Sequence, residues 1–211
     1  MRIWLYRILP IVSVLLLIVT GLVGGPQNVA DFAIVAEATK LRSHDPFWTT
    51  APALLTQLGG VYFLMPLGGV VIALLYFAGR RRSALLLFLT IAVERLLLDG
   101  IKILVERPRP ELQEHPVFTH SFSFPSGHAA NTMTVFVAIA LFALPERHRH
   151  WSIPSAIFLA ALIGATRPWL GVHWPTDIVG GWMLAALSIA AALWAQKRFS
   201  LTDRTPSGKE A

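Results

Sequence analysis

The chain of 211 residues is 55% hydrophobic and only 14% charged, has no Cys, and carries 18 Lys and Arg against 12 Asp and Glu. Soluble domains are about 25% charged, so a soluble enzyme, a disordered chain and a disulfide-stapled domain are excluded. Without cysteine, thiolate metal sites and cysteine-dependent phosphatases go too.

Six apolar segments follow one another at 8–25, 58–79, 83–105, 127–145, 151–167 and 175–196. A helix needs roughly 20 residues to cross a bilayer, and these segments come close to that length. The first, preceded by Arg2 and Arg7, resembles a signal peptide in charge. It lacks an A-x-A-like cleavage site and is long for such a leader, so it reads as a retained helix. The connection 26–57 offers one short surface helix around Ala30 to Ala36, with Pro46 and Pro52 interrupting anything longer. Trp4, Tyr6, Trp48, Trp151, Trp169 and Trp174 fall near segment ends, where aromatic rings anchor at the membrane interface. The expected architecture is all-α, an integral membrane bundle of six transmembrane helices. One domain covers 1–196, and a polar, disordered cytoplasmic tail covers 197–211.

Orientation follows from the basic residues. Arg2, Arg7, Arg80 to Arg82, Arg147, Arg149, Lys197, Arg198, Arg204 and Lys209 fall on one side of the expected bundle. They outnumber Lys40, Arg42, Lys102, Arg107, Arg109 and Arg167 on the other. Positive loops stay inside, which puts both termini in the cytoplasm and residues 103–126 and 168–174 outside. The net charge of +6 is spread between apolar blocks, not gathered in one patch, so no nucleic-acid partner is expected.

The purposeful polar residues all fall on that outer face. Segment three ends at Lys102 with Arg109 beyond it, and segment four opens at Ser126-Gly127-His128. Segment five ends at Thr166-Arg167, and segment six opens around His173 and Asp177. Alternating helix direction brings these four ends to one depth. Lys102, Arg109 and Arg167 can oppose a doubly charged phosphate, with arginine suited to bidentate contact. Ser126 and Gly127 sit at a helix start, where unpaired N–H groups favour an anion. Asp177, four residues after His173, can fix one ring nitrogen and leave the other free to attack phosphorus. His128 can then serve as proton donor to the leaving oxygen and later activate water. Two histidines and a carboxylate can also bind zinc or iron, but three nearby cations oppose a metal, and no cofactor is expected. Within segment three, Glu94, Arg95 and Asp99 are costly in a bilayer and make functional candidates. The pairs Arg95–Asp99 and Asp99–Lys102 are spaced for contacts that would orient Lys102.

Taken together, Lys102-x6-Arg109-Pro110, Pro125-Ser126-Gly127-His128 and Arg167-x5-His173-x3-Asp177 resemble the three-part signature of the type 2 phosphatidic acid phosphatase superfamily. One departure is Thr166, where that family usually places Ser. The stretch from Gly171 to Asp177 looks most like its bacterial lipid-phosphate branch, which includes undecaprenyl pyrophosphate phosphatases. The resemblance implies a metal-independent phosphatase acting through a phosphohistidine on His173, oriented by Asp177, with His128 as general acid. It assigns Lys102, Arg109, Ser126, Gly127 and Arg167 to the phosphate of a lipid substrate held at the outer face of the cell membrane. A lipid phosphotransferase using the same intermediate is the alternative enzyme. A transporter using Glu94, Arg95 and Asp99 is the alternative of a different class.

Overall fold

The computed structural model describes residues 2–117 and 121–202, with side chains from 8 to 117 and from 121 to 198. Among them are eight α-helices and no strand. The helices are α1 (Arg2–Val23), α2 (Val29–Arg42), α3 (Phe47–Gln57), α4 (Val61–Phe77), α5 (Arg81–Val105), α6 (Gly127–Phe142), α7 (Arg149–Trp169) and α8 (Pro175–Thr202). The six apolar segments return as α1 and α4 to α8, with α1 starting six residues earlier than expected, α8 ending six later and the other ends within about three. By length and apolarity alone, the runs Phe47–Phe77 and Pro175–Arg198 are sufficient to cross a membrane.

Two expectations need correction. The polar stretch from Lys197 is helical as far as Thr202, because α8 runs on through it; the rest of the expected tail lies outside the described residues. The connection 26–57 holds two helices, not one. Asn28 starts α2 by accepting the Asp31 N–H at 3.0 Å, and Lys40 and Arg42 suit its C-terminal dipole. Pro46 is the N-cap of α3, where its missing N–H costs nothing. Pro52 lies inside α3 and cannot donate to the carbonyl of Trp48, four residues back. The indole of Trp169 on α7 donates to that carbonyl instead, at 2.6 Å. A tertiary bond thus repairs the break that the proline would otherwise impose.

The bundle is built around α6, which packs against α5, α7 and α8, while α1 lies along α8 and α4 covers α5. The buried face of α6 is rich in small side chains, including Ala129, Ala130, Thr132, Ala138 and Ala140, which let helix backbones approach closely. Leu64, Leu87, Ile91, Val135 and Phe142 form the largest apolar cluster, toward the end away from the polar motifs. The outer surface is apolar as well. Helix α4 buries Leu64, Gly68 and Leu75 but exposes Tyr62, Leu74 and Phe77. Helix α5 exposes Leu96 and Leu104, and α1 exposes Ile11, Leu15 and Leu22. A helix apolar on every side asks for a bilayer, not water, around it.

Candidate active site

Four helix ends meet at one rim of the bundle, the C-termini of α5 and α7 and the N-termini of α6 and α8. The Ser126 N–H donates to the Asp177 carbonyl at 2.9 Å, joining the starts of α6 and α8 directly. Gly181 makes this approach possible, since a Cβ there would lie 2.7 Å from the Ser126 carbonyl oxygen. The start of α8 is held from the other side by α2. Asp31 accepts the Thr176 N–H at 3.0 Å and the Thr176 hydroxyl at 2.6 Å, which caps the helix whose first turn carries Asp177.

His173 lies in the turn between α7 and α8, almost fully buried. Its Nδ1 is 3.2 Å from Asp177 Oδ2 and its Nε2 is 3.0 Å from Arg109 Nη1. An arginine has only N–H groups to offer, so Nε2 accepts and Nδ1 carries the proton toward the carboxylate. Both neighbours enforce one tautomer, with the Nε2 lone pair turned to the cation. Asp177 is held by three further donors: the Trp174 N–H at 2.8 Å, Arg107 Nη1 at 2.8 Å and the Ser123 hydroxyl. Burial, and then the positive fields of Arg109, Arg167, Lys102 and His128, hold the His173 imidazole well below the ordinary histidine value. Contacts thus bring Arg109, His173 and Asp177 together, and the backbone bond from Ser126 to Asp177 adds the start of α6.

The remaining expected residues surround this ring. Lys102 Nζ donates to the Phe122 carbonyl at 2.5 Å, and Arg109 donates to the carbonyls of Ser121 at 2.8 Å and Val172 at 2.6 Å. Burial lowers the Arg109 guanidinium to about 10, with Asp177 acting in the opposite sense, so it stays charged at neutral pH. Arg167 donates from Nη1 to Thr56 of α3 at 2.9 Å, while its Nε is buried without a partner among the described residues. The Ser126 hydroxyl is likewise buried and partnerless, and it makes no capping bond at the start of α6. Gly127 follows in the first turn. Partnerless buried donors cost about 1–3 kcal/mol each, and these stand beside a helix N-terminus, where an anion is favoured. His128 is half-buried, with its ring against the turn after α3; a Cβ on Gly59 would come within 3.0 Å of its Cδ2.

Several participants escaped the sequence. Arg107 counted there only as outer-loop charge, yet it is buried and joins Asp177 to the Thr20 and Gly21 carbonyls of α1, at 2.7 and 2.9 Å. Ser123 and Asp31 gave no signal beyond their residue types. Thr56 sat in the connection 26–57, and Gly59 sat near the start of the second apolar segment, 58–79, with nothing to mark either. Trp174, expected as an interface anchor, is instead 2% exposed and donates its indole N–H to the Pro108 carbonyl at 2.9 Å. Trp48 and Trp151 stand half-exposed, and the side chains of Trp4 and Tyr6 lie outside those described. The Thr166 hydroxyl bonds back to the Ile163 carbonyl at 2.5 Å, so its contact is with its own helix. In α5, Arg95 and Asp99 pair at 3.0 Å on a half-exposed face, and it is the Phe122 carbonyl that holds Lys102. Glu94 is fully buried with neither carboxyl oxygen partnered among the described residues.

Known proteins resemble this chain along most of its length. Phosphatidylglycerophosphatase B of Bacillus subtilis is 35% identical over 163 residues, covering 75% of this chain and 79% of that protein. An undecaprenyl-diphosphatase of Sulfolobus acidocaldarius is 28% identical over 193 residues, covering 88% of each. The crystal structure of a transmembrane PAP2 type phosphatidylglycerolphosphate phosphatase from Bacillus subtilis superposes with a TM-score of 0.82 at 32% identity, over 90% of this chain and 96% of that one. Residues 83–200 match the family model of the PAP2 superfamily; they contain all three motifs, and the chain belongs to that family of membrane lipid phosphatases.

Proposed function

We propose that this protein is a membrane-integral lipid phosphatase that removes a terminal phosphate from a lipid-linked phosphate or diphosphate through a phosphohistidine on His173. In this reading residues 1–196 form one domain of six membrane-spanning helices, α1 and α4 to α8. Both termini are cytoplasmic, and the rim bearing the histidines faces the exterior. The observation that carries the mechanism is the setting of His173, whose Nδ1 is tied to Asp177 while its Nε2 lone pair points at a cation. Arg109 Nη1 stands 3.0 Å from that lone pair, about where phosphorus must come for in-line attack. Substrate takes that position, and the guanidinium turns its N–H groups to the equatorial oxygens. Lys102, the Arg167 Nε, the Ser126 hydroxyl and the first N–H groups of α6 complete the cradle.

The chemistry then balances in two steps. His173 Nε2 forms a bond to phosphorus as the bond from phosphorus to the lipid oxygen breaks, and His128 protonates that oxygen. Water next attacks the phosphohistidine while His128 takes its proton, releasing inorganic phosphate and restoring the neutral imidazole. The relatives are named for phosphatidylglycerophosphate and undecaprenyl diphosphate, which makes these the first substrates to offer.

The test is phosphate release by purified protein in detergent with chelator present, across phosphatidylglycerophosphate, undecaprenyl diphosphate, phosphatidate and lipid A. Turnover inhibited by vanadate is expected on at least one, and none on any would overturn the assignment. His173→Ala should lose at least about 10⁴-fold in kcat with its fold intact, as removal of a nucleophile does. Asp177→Asn should lose less, because Arg109 still favours the same tautomer. Normal turnover by His173→Ala would remove the nucleophile assignment, and equal loss in the two variants would give Asp177 more than an orienting role.

A further inference from the structure

One cavity is lined by cations of the site and another by α3 and α7, and they differ in kind. The larger, about 650 Å³, is lined by Lys102, Arg107, Arg109, Asp99, Glu111 and His115 among others, and it suits polar groups. The smaller, about 320 Å³, lies between α3 and α7. Phe47, Trp48, Leu55, Leu162, Ala165 and Trp169 shape most of it, and Ala51, Pro52 and Thr166 complete it. Resting on the phosphatase function proposed for the site, we infer that this apolar groove holds the hydrocarbon segment of the substrate nearest its phosphate.

The groove and the phosphate cradle stand back to back on the same two helices. On α7, Thr166 lines the groove and the next residue is Arg167. On α3, Leu55 lines it and the next residue, Thr56, binds Arg167 Nη1 at 2.9 Å. One step along either helix therefore passes from the hydrocarbon side to the anion side. A lipid lying in the groove delivers its headgroup at that crossing. The same helix α3 ends at the turn where Gly59 abuts His128, so a chain held by α3 is also registered against the proposed acid.

Hydrocarbon needs walls with no polar group left wanting. The Thr166 hydroxyl is bonded to the Ile163 carbonyl, and the Trp48 carbonyl that Pro52 leaves free is bonded by the Trp169 indole. Small residues, Ala51 and Ala165, line the hollow, and the edge-on rings of Trp48 and Trp169, 6.2 Å apart, form part of its wall. From Leu162 to Trp169 a helix rises about 10 Å, enough to align the first part of a chain but not all of it. This also gives Thr166 a place in the wall of the groove.

The experiment compares a long-chain lipid phosphate, dioleoyl phosphatidylglycerophosphate, with its water-soluble dihexanoyl counterpart in the same detergent. Ala165→Phe fills the groove and is expected to lower the long-to-short ratio of kcat/KM by about tenfold, mainly through KM. Phe158→Trp, on the exposed face of α7 outside the groove, should leave the ratio at the wild-type value. An unchanged ratio in Ala165→Phe, the result if only bulk lipid covers this face, overturns the inference. So does an equal fall on both substrates, which would mean that the site itself is distorted. Leu162→Ala, which only removes volume, provides a second reading: a lower ratio supports the groove and an unchanged one rejects it. Absence of wild-type turnover on either substrate would instead count against the phosphatase assignment itself, so the two failures are distinguishable.

Discussion

A histidine that is to attack phosphorus must keep its lone pair at working pH, and two influences on His173 see to that. Burial disfavours the imidazolium, and the cations Arg109, Arg167 and Lys102 disfavour it again. Because the neutral form is the nucleophile in the proposed mechanism, lowering the pKa preserves activity as pH falls. The acid limb of kcat/KM is therefore expected below the ordinary imidazole value of about 6.5. Arg109→Gln removes the nearest positive field, so it should move that limb upward in pH while costing roughly 10²-fold to 10³-fold in rate from the lost phosphate contact. A pH profile of the wild type and the variant, on one substrate, checks both. A limb that stays put when the charge is removed would mean that another group is being titrated. The Lys102 ammonium is not a substitute, since it is tied to the Phe122 carbonyl and is a point charge without the guanidinium's fork.

At the scale of elements, the Arg107–Asp177 pair is the point where four segments are fastened together. Arg107 reaches from the loop after α5 to Asp177 on α8 and to two carbonyls of α1, and its guanidinium also lies 4.4 Å from the centre of the Phe124 ring. Both side chains of the Arg107–Asp177 pair are almost wholly buried, and removing one partner of such a pair typically costs about 3–5 kcal/mol. Arg107→Met should accordingly lower the thermal unfolding midpoint in detergent sharply. Combining it with Asp177→Asn should recover part of the loss, because no charge is then left alone; strictly additive destabilisation would contradict the coupling. The sequence made the six long helices and the residues at their ends legible, because apolar period and motif spacing are local properties. It did not reveal Arg107, Ser123 or Asp31, whose importance comes from partners 54 to 145 residues away. It broke α3 at Pro52 because the repair, a tryptophan indole at position 169, is tertiary. Nor did it separate Trp174 from the other aromatic residues, since a wall of the site and a membrane anchor look alike until burial is known.

For the molecule as a whole, the proposed direction of catalysis depends on which side of the membrane the rim faces. Helices α5 and α7 must run in one direction and α6 and α8 in the other for the four ends to meet, so one determined loop fixes all the others. The charge bias that sets this direction rests on Arg80 to Arg82, Arg147 and Arg149. Arg80 is also structural, donating to the Phe142 and Ala143 carbonyls at 2.8 and 2.7 Å and so closing the end of α6. The absence of native cysteine offers a clean measurement. Glu114→Cys, exposed in the loop after α5, should react in intact cells with a membrane-impermeant maleimide. His150→Cys, exposed at the start of α7, should react only once the membrane is opened. The opposite pattern would invert the bundle and place the histidines in the cytoplasm, where a lipid phosphate of the inner leaflet, not the outer, would have to be the substrate. Labelling of both positions in intact cells would mean that α6 and the start of α7 do not cross as proposed, and the common depth of the four helix ends would then need another explanation.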